Sequence, residues 1–225
     1  MPLRCILPHP TLPIPWSEIC DQWGGPAARY YPVPTPDHPA LFEPGVLRPD
    51  CVNIGYAIQQ MQEEQRQIFA EYVAQTQCMP LVQGFSDTGA CITPAGEIPL
   101  TQCAAGVLHV FAVIYLMLQT TGRIIIEQFG NPVHPTVAGS VTTTAQALAG
   151  HGQHDRDILI TTHSPQIVRW MAPIHVYVVV RTTQCVVLRN ILKLRGITDE
   201  HRQAIAAGRL TPAHIWDMGL CTPYA

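Results

Sequence analysis

The first candidate functional residue is an acidic residue that follows a run of three isoleucines at residues 124–126. Glu127 would stand at the tip of a buried strand, with Gln128 directly after it. A carboxylate that a strand holds in this position can bind Mg²⁺ against the phosphates of a nucleotide. Glu127 is therefore the candidate metal ligand, although one acidic residue at a strand end is by itself a weak signal.

A second polar group follows the next apolar run, where residues 161–165 read TTHSP. A histidine that leaves a buried strand can contact a γ-phosphate or polarise a water molecule, but it can equally be a polar residue at the start of a loop. His163 comes 36 residues after Glu127, with one predicted helix between them. Together the two positions are a stronger signal than either alone, because ligands of parallel sheets bind at the carboxyl ends of the strands.

The elements around these residues alternate between helix and strand. Apolar periodicity predicts an amphipathic helix over residues 51–77, ended by Pro80, and a buried helix over 101–119, with short β-leaning segments at 81–93 between them. The alternation of the remaining elements is typical of an α/β domain with a mostly parallel sheet flanked by helices. These elements are strands at 123–127, 157–162, 175–181 and 185–189, and helices at 134–149, 165–171, 199–207 and 212–218.

Prolines concentrate in residues 1–45, which we expect to be extended or irregular, without a helix or a central strand. The predicted division is a Pro-rich arm over 1–45 and an α/β lobe over 46–225. Charged residues make up only 13% of the chain, about half the roughly 25% of ordinary globular proteins. A surface so poor in charge predicts either that a partner covers much of it or that the chain is only marginally soluble. The net charge of −3 argues against nucleic acid as a partner.

The eight cysteines are irregularly spaced and include no Cys-x-x-Cys pair, which argues against a zinc ribbon. Because no signal peptide is recognisable at the N-terminus either, we expect a reduced, cytoplasmic compartment. The longest apolar run, residues 104–118, would span roughly 22 Å as a helix, short of the roughly 30 Å hydrocarbon core of a bilayer. A buried helix is therefore expected, and no membrane partner.

The two strand-end motifs resemble those of the ABC/SMC-like "AAA family" ATPases of bacteria and archaea, relatives of recombination and repair ATPases. The switch region of that family reads TTHSPQ, and residues 161–166 match it without change. Its Walker B region reads approximately IEEPENGLHP, and residues 126–135 read IEQFGNPVHP. Further similarities lie in the family's order at 51–54, 99–109 and 210–220, so the resemblance covers roughly residues 41–225.

The resemblance implies a partial P-loop-NTPase-like domain and assigns roles to particular residues. Gln128 stands in place of the family's catalytic Glu, and His163 is the switch histidine. Glu127 would hold Mg²⁺ if a nucleotide binds. The residues that would contribute to binding Mg-ATP, the family's cofactor, are Gly106, Asn131 and Thr162.

Three departures from the family pattern predict that the isolated chain binds no cofactor and does not hydrolyse ATP. The chain contains no Gly-x-x-x-x-Gly-Lys-Ser/Thr loop, and therefore lacks the backbone N–H groups and the Lys that hold the phosphates. Gln128 cannot accept a proton from an attacking water, and loss of general-base help typically costs about 10²–10⁴-fold in rate. Ala104 replaces the signature Ser that is expected to touch a partner's γ-phosphate.

Three functions stay open on these grounds. The first is a degenerate pseudo-ATPase without the Walker A lobe, whose exposed strand edges lead it to associate with itself or with a P-loop-bearing subunit. The second is one half of a split ATPase that binds and hydrolyses ATP only in a complex. The third is a non-enzymatic interaction module that docks through the Pro-rich arm. The family also implies a nucleic-acid partner, which the charge does not support.

Overall fold

The computed structural model describes most of the chain after residue 50 and two short strands before it. The described residues are 4–7, 28–30, 51, 53–119, 122–130, 133–150, 156–181 and 186–221. The strands within them are β1 (Arg4–Leu7), β2 (Ala28–Tyr30), β3 (Gly84–Phe85), β4 (Cys91–Thr93), β5 (Gly96–Ile98), β6 (Gly122–Ile126), β7 (Arg156–Thr161), β8 (Val176–Arg181) and β9 (Val186–Asn190). The α-helices are α1 (Ile54–Gln59), α2 (Glu63–Gln75), α3 (Ala105–Gln119), α4 (Pro135–Gly150), α5 (Pro165–Arg169), α6 (Asp199–Ala206) and α7 (Pro212–Asp217).

Six of the strands form one sheet in the order β2-β6-β7-β1-β8-β9. Four of its five pairings are parallel, and β8 pairs with β9 in the antiparallel sense. The strands β3, β4 and β5 form a separate antiparallel sheet, of which β5 was not predicted. The mixed α/β class predicted from the sequence is confirmed.

Strand β1 lies in the centre of the large sheet, where it pairs in parallel with β7 on one side and with β8 on the other. The prediction that residues 1–45 contribute no central strand is therefore wrong. Arg4–Leu7 contains no proline, so each of its residues keeps the backbone N–H that a central strand needs for both of its ladders.

The exposed strand edges that a missing N-terminal lobe would leave are not found at β6 or β7. Strand β6 lies between β2 and β7, and β7 lies between β6 and β1. Strand β2, which also comes from the first 45 residues, pairs with β6 in parallel. The prediction of open edges is wrong for these two strands, and they need no second molecule to complete their hydrogen bonding.

Apolar side chains cover both faces of β6 and β7. Ile124, Ile125 and Ile126 are successive residues of β6, and none is more than 1% exposed. Residues 158–160 of β7 are buried in the same way. Because successive strand residues point to opposite faces, both faces must be packed, as parallel sheets generally require.

The helix predicted over residues 51–77 is two helices, α1 and α2. The helix is interrupted at Gln62, whose backbone is extended. The N–H of Gln62 donates to the side chain of Gln65 over 3.3 Å, and this hydrogen bond caps the start of α2. Helix α2 ends before Thr76, and Gln77 adopts a left-handed φ of 58°. Pro80 therefore does not end this helix.

Helix α3 forms the buried centre of the helical layer, as its apolar sequence predicted, and its residues 108–117 are all buried. The ring of its Phe111 lies 5.9 Å from that of Phe69 on α2 and 5.4 Å from that of Phe85 on β3, centroid to centroid. This triangle of rings fixes α2, α3 and the small sheet to one another. No described helix has both the length and the apolar character that crossing a bilayer requires.

Removing one corner of the aromatic triangle tests this packing. We expect Phe69→Ala to lower the free energy of unfolding by about 3–5 kcal/mol, because it opens a cavity in the core. The matched control is Ile68→Ala, which trims a side chain that is 40% exposed on the same helix and should cost about 1 kcal/mol or less. Urea denaturation followed by circular dichroism measures both, and equal losses would contradict the burial of Phe69.

Candidate functional site

The carboxyl ends of β6 and β7 lie side by side, which brings the two sequence motifs together. Ile126, the last residue of β6, is in register with Ile160 near the end of β7. The loop at residues 127–130 therefore begins beside residues 161–163. Four of the residues predicted for the site meet at this edge of the sheet: Glu127, Gln128, Thr162 and His163.

Two buried threonines tie these strand ends together. The backbone N–H of Gln128 donates to the Thr161 hydroxyl over 3.0 Å, and the N–H of Phe129 donates to the Thr161 carbonyl over 2.8 Å. The Thr162 hydroxyl donates to the Phe129 carbonyl over 2.6 Å and accepts from the Ser164 N–H over 3.0 Å. The hydroxyl of Thr162, predicted to contribute to nucleotide binding, is thus engaged with backbone groups.

The side chains of Gln128 and His163 are exposed, whereas that of Glu127 is half-buried. Gln128 adopts a left-handed φ of 54°, which is uncommon for a residue other than glycine. Its amide can donate and accept hydrogen bonds but cannot take up a proton. A ligand that approaches the carboxyl ends of β6 and β7 would therefore meet the amide of Gln128 and the imidazole of His163. The carboxylate of Glu127 is only partly accessible to it.

His109 on α3 supports the loop after β6 from within the core. Its Nε2 accepts a hydrogen bond from the Gly130 N–H over 3.5 Å, and its ring centroid lies 6.1 Å from that of Phe129. His109 was not among the residues predicted for the site. Its place inside the apolar run 104–118 is the signal that could have found it, because a polar side chain inside a buried helix needs a polar partner.

Gly130 lets the loop pass close to α5. Its φ is 84°, and a Cβ at this position would lie 2.9 Å from Cγ1 of Ile167. Loop 127–130 is therefore held between α3 and α5, and only a residue without a side chain fits at Gly130.

The remaining predicted site residues are Gly106 and Asn131. Gly106 lies in the first turn of α3, three residues before His109 and so on the same side of the helix, but on a different element from Glu127. Asn131 lies outside the described residues. His134 starts a helix as expected, since its Nδ1 accepts from the Thr136 N–H over 3.3 Å.

The described residues do not fit a complete Mg²⁺ site. Glu127 is the one carboxylate within residues 127–130 and 161–166. Across the described part of the chain, no group of three or more His, Cys, Asp or Glu side chains could hold a metal ion. In nucleotide sites Mg²⁺ relies on one or two carboxylates together with phosphates, so Glu127 would need phosphates held by other groups.

No family model matches the chain, and no curated protein sequence matches it significantly. The resemblance of residues 126–135 and 161–166 to an ATPase family therefore stays a prediction.

A substitution at Gly130 tests how tightly the loop is held. Gly130→Ala should be strained by both its positive φ and the contact with Ile167, whereas the matched control Gly208→Ala has a positive φ of 68° with nothing within 4 Å. We expect Gly208→Ala to cost about 1–2 kcal/mol and Gly130→Ala to cost about 1–3 kcal/mol more, from overpacking. Equal losses in urea denaturation would show that α5 does not restrain the loop.

Proposed function

We propose that this chain is a degenerate ATP-binding-domain protein, similar to the ABC/SMC-like ATPases of the AAA family, that does not turn over ATP on its own. It acts through association with a second copy of itself or with a subunit that carries a P-loop. The observation that supports the proposal most is the position of Glu127 and Gln128 beside His163, at the carboxyl ends of neighbouring parallel strands.

The carboxyl edge of a parallel sheet is where α/β proteins bind their ligands. Ile126, Ile160 and Cys5 form one row across β6, β7 and β1, so the carboxyl ends of these three strands lie at the same edge. In P-loop ATPases a Walker B acid that holds Mg²⁺ and a residue that orients the attacking water are needed together. Glu127 and Gln128 match these residue types, except that an amide has replaced the base.

The segment that follows β1 argues against ATP turnover by this chain alone. In a P-loop protein the strand continues into Gly-x-x-x-x-Gly-Lys-Ser/Thr, whose N–H groups and Lys hold the phosphates. Residues 8–15 read PHPTLPIP, with no glycine and no lysine. Because four of these eight residues are prolines, four backbone N–H donors are also missing. The charge of a triphosphate would have no partner there.

The strand order favours this proposal over a split ATPase. A P-loop strand from another subunit would have to lie beside β6 or β7 to bring its loop to Glu127. Both neighbouring positions are held by strands of this chain, β2 and β1, and displacing either would break a ladder of hydrogen bonds. A partner would therefore approach over the carboxyl edge, towards the exposed Gln128 and His163, without joining the sheet.

Restoring the missing loop tests the proposal. Replacing residues 8–15 with an eight-residue Gly-x-x-x-x-Gly-Lys-Ser segment places a phosphate-binding loop directly after β1. We expect the grafted chain to bind Mg-ATP with a dissociation constant of about 1 mM or tighter, equivalent to about 4 kcal/mol, while the native chain shows no saturable binding. Isothermal titration calorimetry on both chains measures the difference.

Two controls belong to this experiment. A graft with Ala in place of its Lys keeps the glycines but removes the charge, and should lose the binding. Glu127→Gln in the graft should weaken the binding of Mg-ATP but not that of metal-free ATP. A graft that folds, judged by its melting temperature, yet binds no ATP would contradict the proposal, as would a native chain that binds and hydrolyses Mg-ATP.

A further inference from the structure

A groove separate from the candidate site lies between α4, α5 and the C-terminal end of α2. We call it the α4–α5 groove. Its volume is about 620 Å³, within the range of roughly 300–1,000 Å³ that is usual for small-molecule sites. The side chains of Glu127, Gln128 and His163 do not line it.

One side of the α4–α5 groove is a face of α4 with small and hydroxyl-bearing side chains. Thr136, Gly139, Ser140 and Thr143 line the groove and share this face through their helical spacing. The Ser140 hydroxyl donates to the Thr136 carbonyl over 3.5 Å, and the Thr143 hydroxyl donates to the Gly139 carbonyl over 3.1 Å. Because both hydroxyl hydrogens are used within the helix, these two oxygens are left as acceptors.

An exposed indole lies beside this face. Trp170 follows α5 directly and is 53% exposed. Its indole comes so close to α4 that a Cβ on Gly139 would lie 2.5 Å from Nε1, and the side-chain amide of Gln146 donates to the Trp170 carbonyl over 3.0 Å. Glycine inside a helix is destabilising relative to alanine, yet here it makes room for a ring that stays half in solvent. These contacts hold the indole in place without burying it.

The remaining polar groups of the groove are amides and one guanidinium. Gln75, Gln77 and Gln166 contribute the amides, and Arg169 is the one charged residue among the described residues that line the groove. Within the described part of the chain, these four side chains make no hydrogen bond or ion pair. The groove therefore presents donors and acceptors, an indole, and a positive charge that no neighbouring carboxylate neutralises.

We propose that the α4–α5 groove binds an acidic saccharide, a pyranose ring that carries a carboxylate. The C–H face of a pyranose is apolar and can pack on the indole of Trp170. Its hydroxyls can donate to the oxygens of Ser140 and Thr143. Its carboxylate can accept two parallel hydrogen bonds from the guanidinium of Arg169.

An aromatic base fits the same groove less well. A base has two apolar faces, whereas Trp170 is the one aromatic side chain among the described residues that line the groove. The second face of a base would lie against amides and hydroxyls and cover them without hydrogen bonds, which is unfavourable. A saccharide offers hydroxyls to those groups instead. The inference rests on this groove alone and does not depend on ATP binding.

The indole N–H signal of Trp170 in a proton–nitrogen correlation spectrum of the full chain reports on the groove directly. The chain has four tryptophans, and the signal of Trp170 is the one that Trp170→Phe removes. We expect methyl β-glucuronide to shift this signal saturably, with a dissociation constant in the millimolar range. Methyl β-glucoside has the same ring without the carboxylate and should bind about tenfold more weakly, because it leaves Arg169 unpaired. Acetate, which has the charge without the ring, should give no saturable shift over the same range.

Variants test the two contacts separately. Arg169→Gln should bind the glucuronide and the glucoside alike, whereas the matched control Arg209→Gln, an exposed arginine outside the groove, should keep the tenfold preference. Gly139→Ala favours the helix but displaces the indole, and should weaken glucuronide binding. The native-chain titration does not require any variant other than the one used for assignment.

Three results would overturn the proposal. The first is no saturable shift of the Trp170 signal with methyl β-glucuronide. The second is equal binding of the glucuronide and the glucoside by the native chain, or an unchanged preference in Arg169→Gln. The third is tighter binding of adenosine monophosphate than of the glucuronide at the same signal, which would identify the groove as a site for an aromatic base.

Discussion

The parallel pairing of β1 with both β7 and β8 is the constraint on which the rest of the structure depends. Strands β7 and β8 are not paired with each other, so without β1 the large sheet would divide into β2-β6-β7 and β8-β9. The carboxyl end of β1, at Leu7, lies at the same edge of the sheet as those of β6 and β7, which Glu127 and His163 follow. The sequence after Leu7 is rich in proline, whereas a nucleotide-binding protein would need a phosphate loop there.

Hydrogen bonds to backbone groups hold the loop of the candidate site in place. Thr161 and Thr162 use their hydroxyl and carbonyl groups to fix the start of loop 127–130, and His109 fixes its end at Gly130. All three are buried, so the loop rests on a rigid base. The side chains of Gln128 and His163 remain exposed there and can contact a partner or orient a water molecule. The amide of Gln128 cannot activate that water, because it cannot accept a proton as a catalytic Glu would.

The sequence predicted the parts of this edge that depend on local pattern. Consecutive apolar residues identified β6 and β7, and the polar residues that follow them were correctly placed at the strand ends. It did not predict β1, because four residues among prolines show no periodicity and their partners in β7 lie more than 150 positions away. The interruption between α1 and α2 at Gln62 was also not predicted, because a capping hydrogen bond does not change the spacing of the apolar residues. The contact between His109 and Gly130 depends on the distance between two elements, which composition does not encode.

Hydrogen–deuterium exchange of the full chain tests most directly whether β1 occupies the centre of the sheet. Peptic fragments carrying residues 4–7 and 156–161 are compared over the same time course, because amides of a strand paired on both sides exchange only when the sheet opens. We expect residues 5–7 to exchange about as slowly as residues 158–160. Exchange of residues 5–7 at the rate of an unfolded peptide, while β7 stays protected, would contradict it.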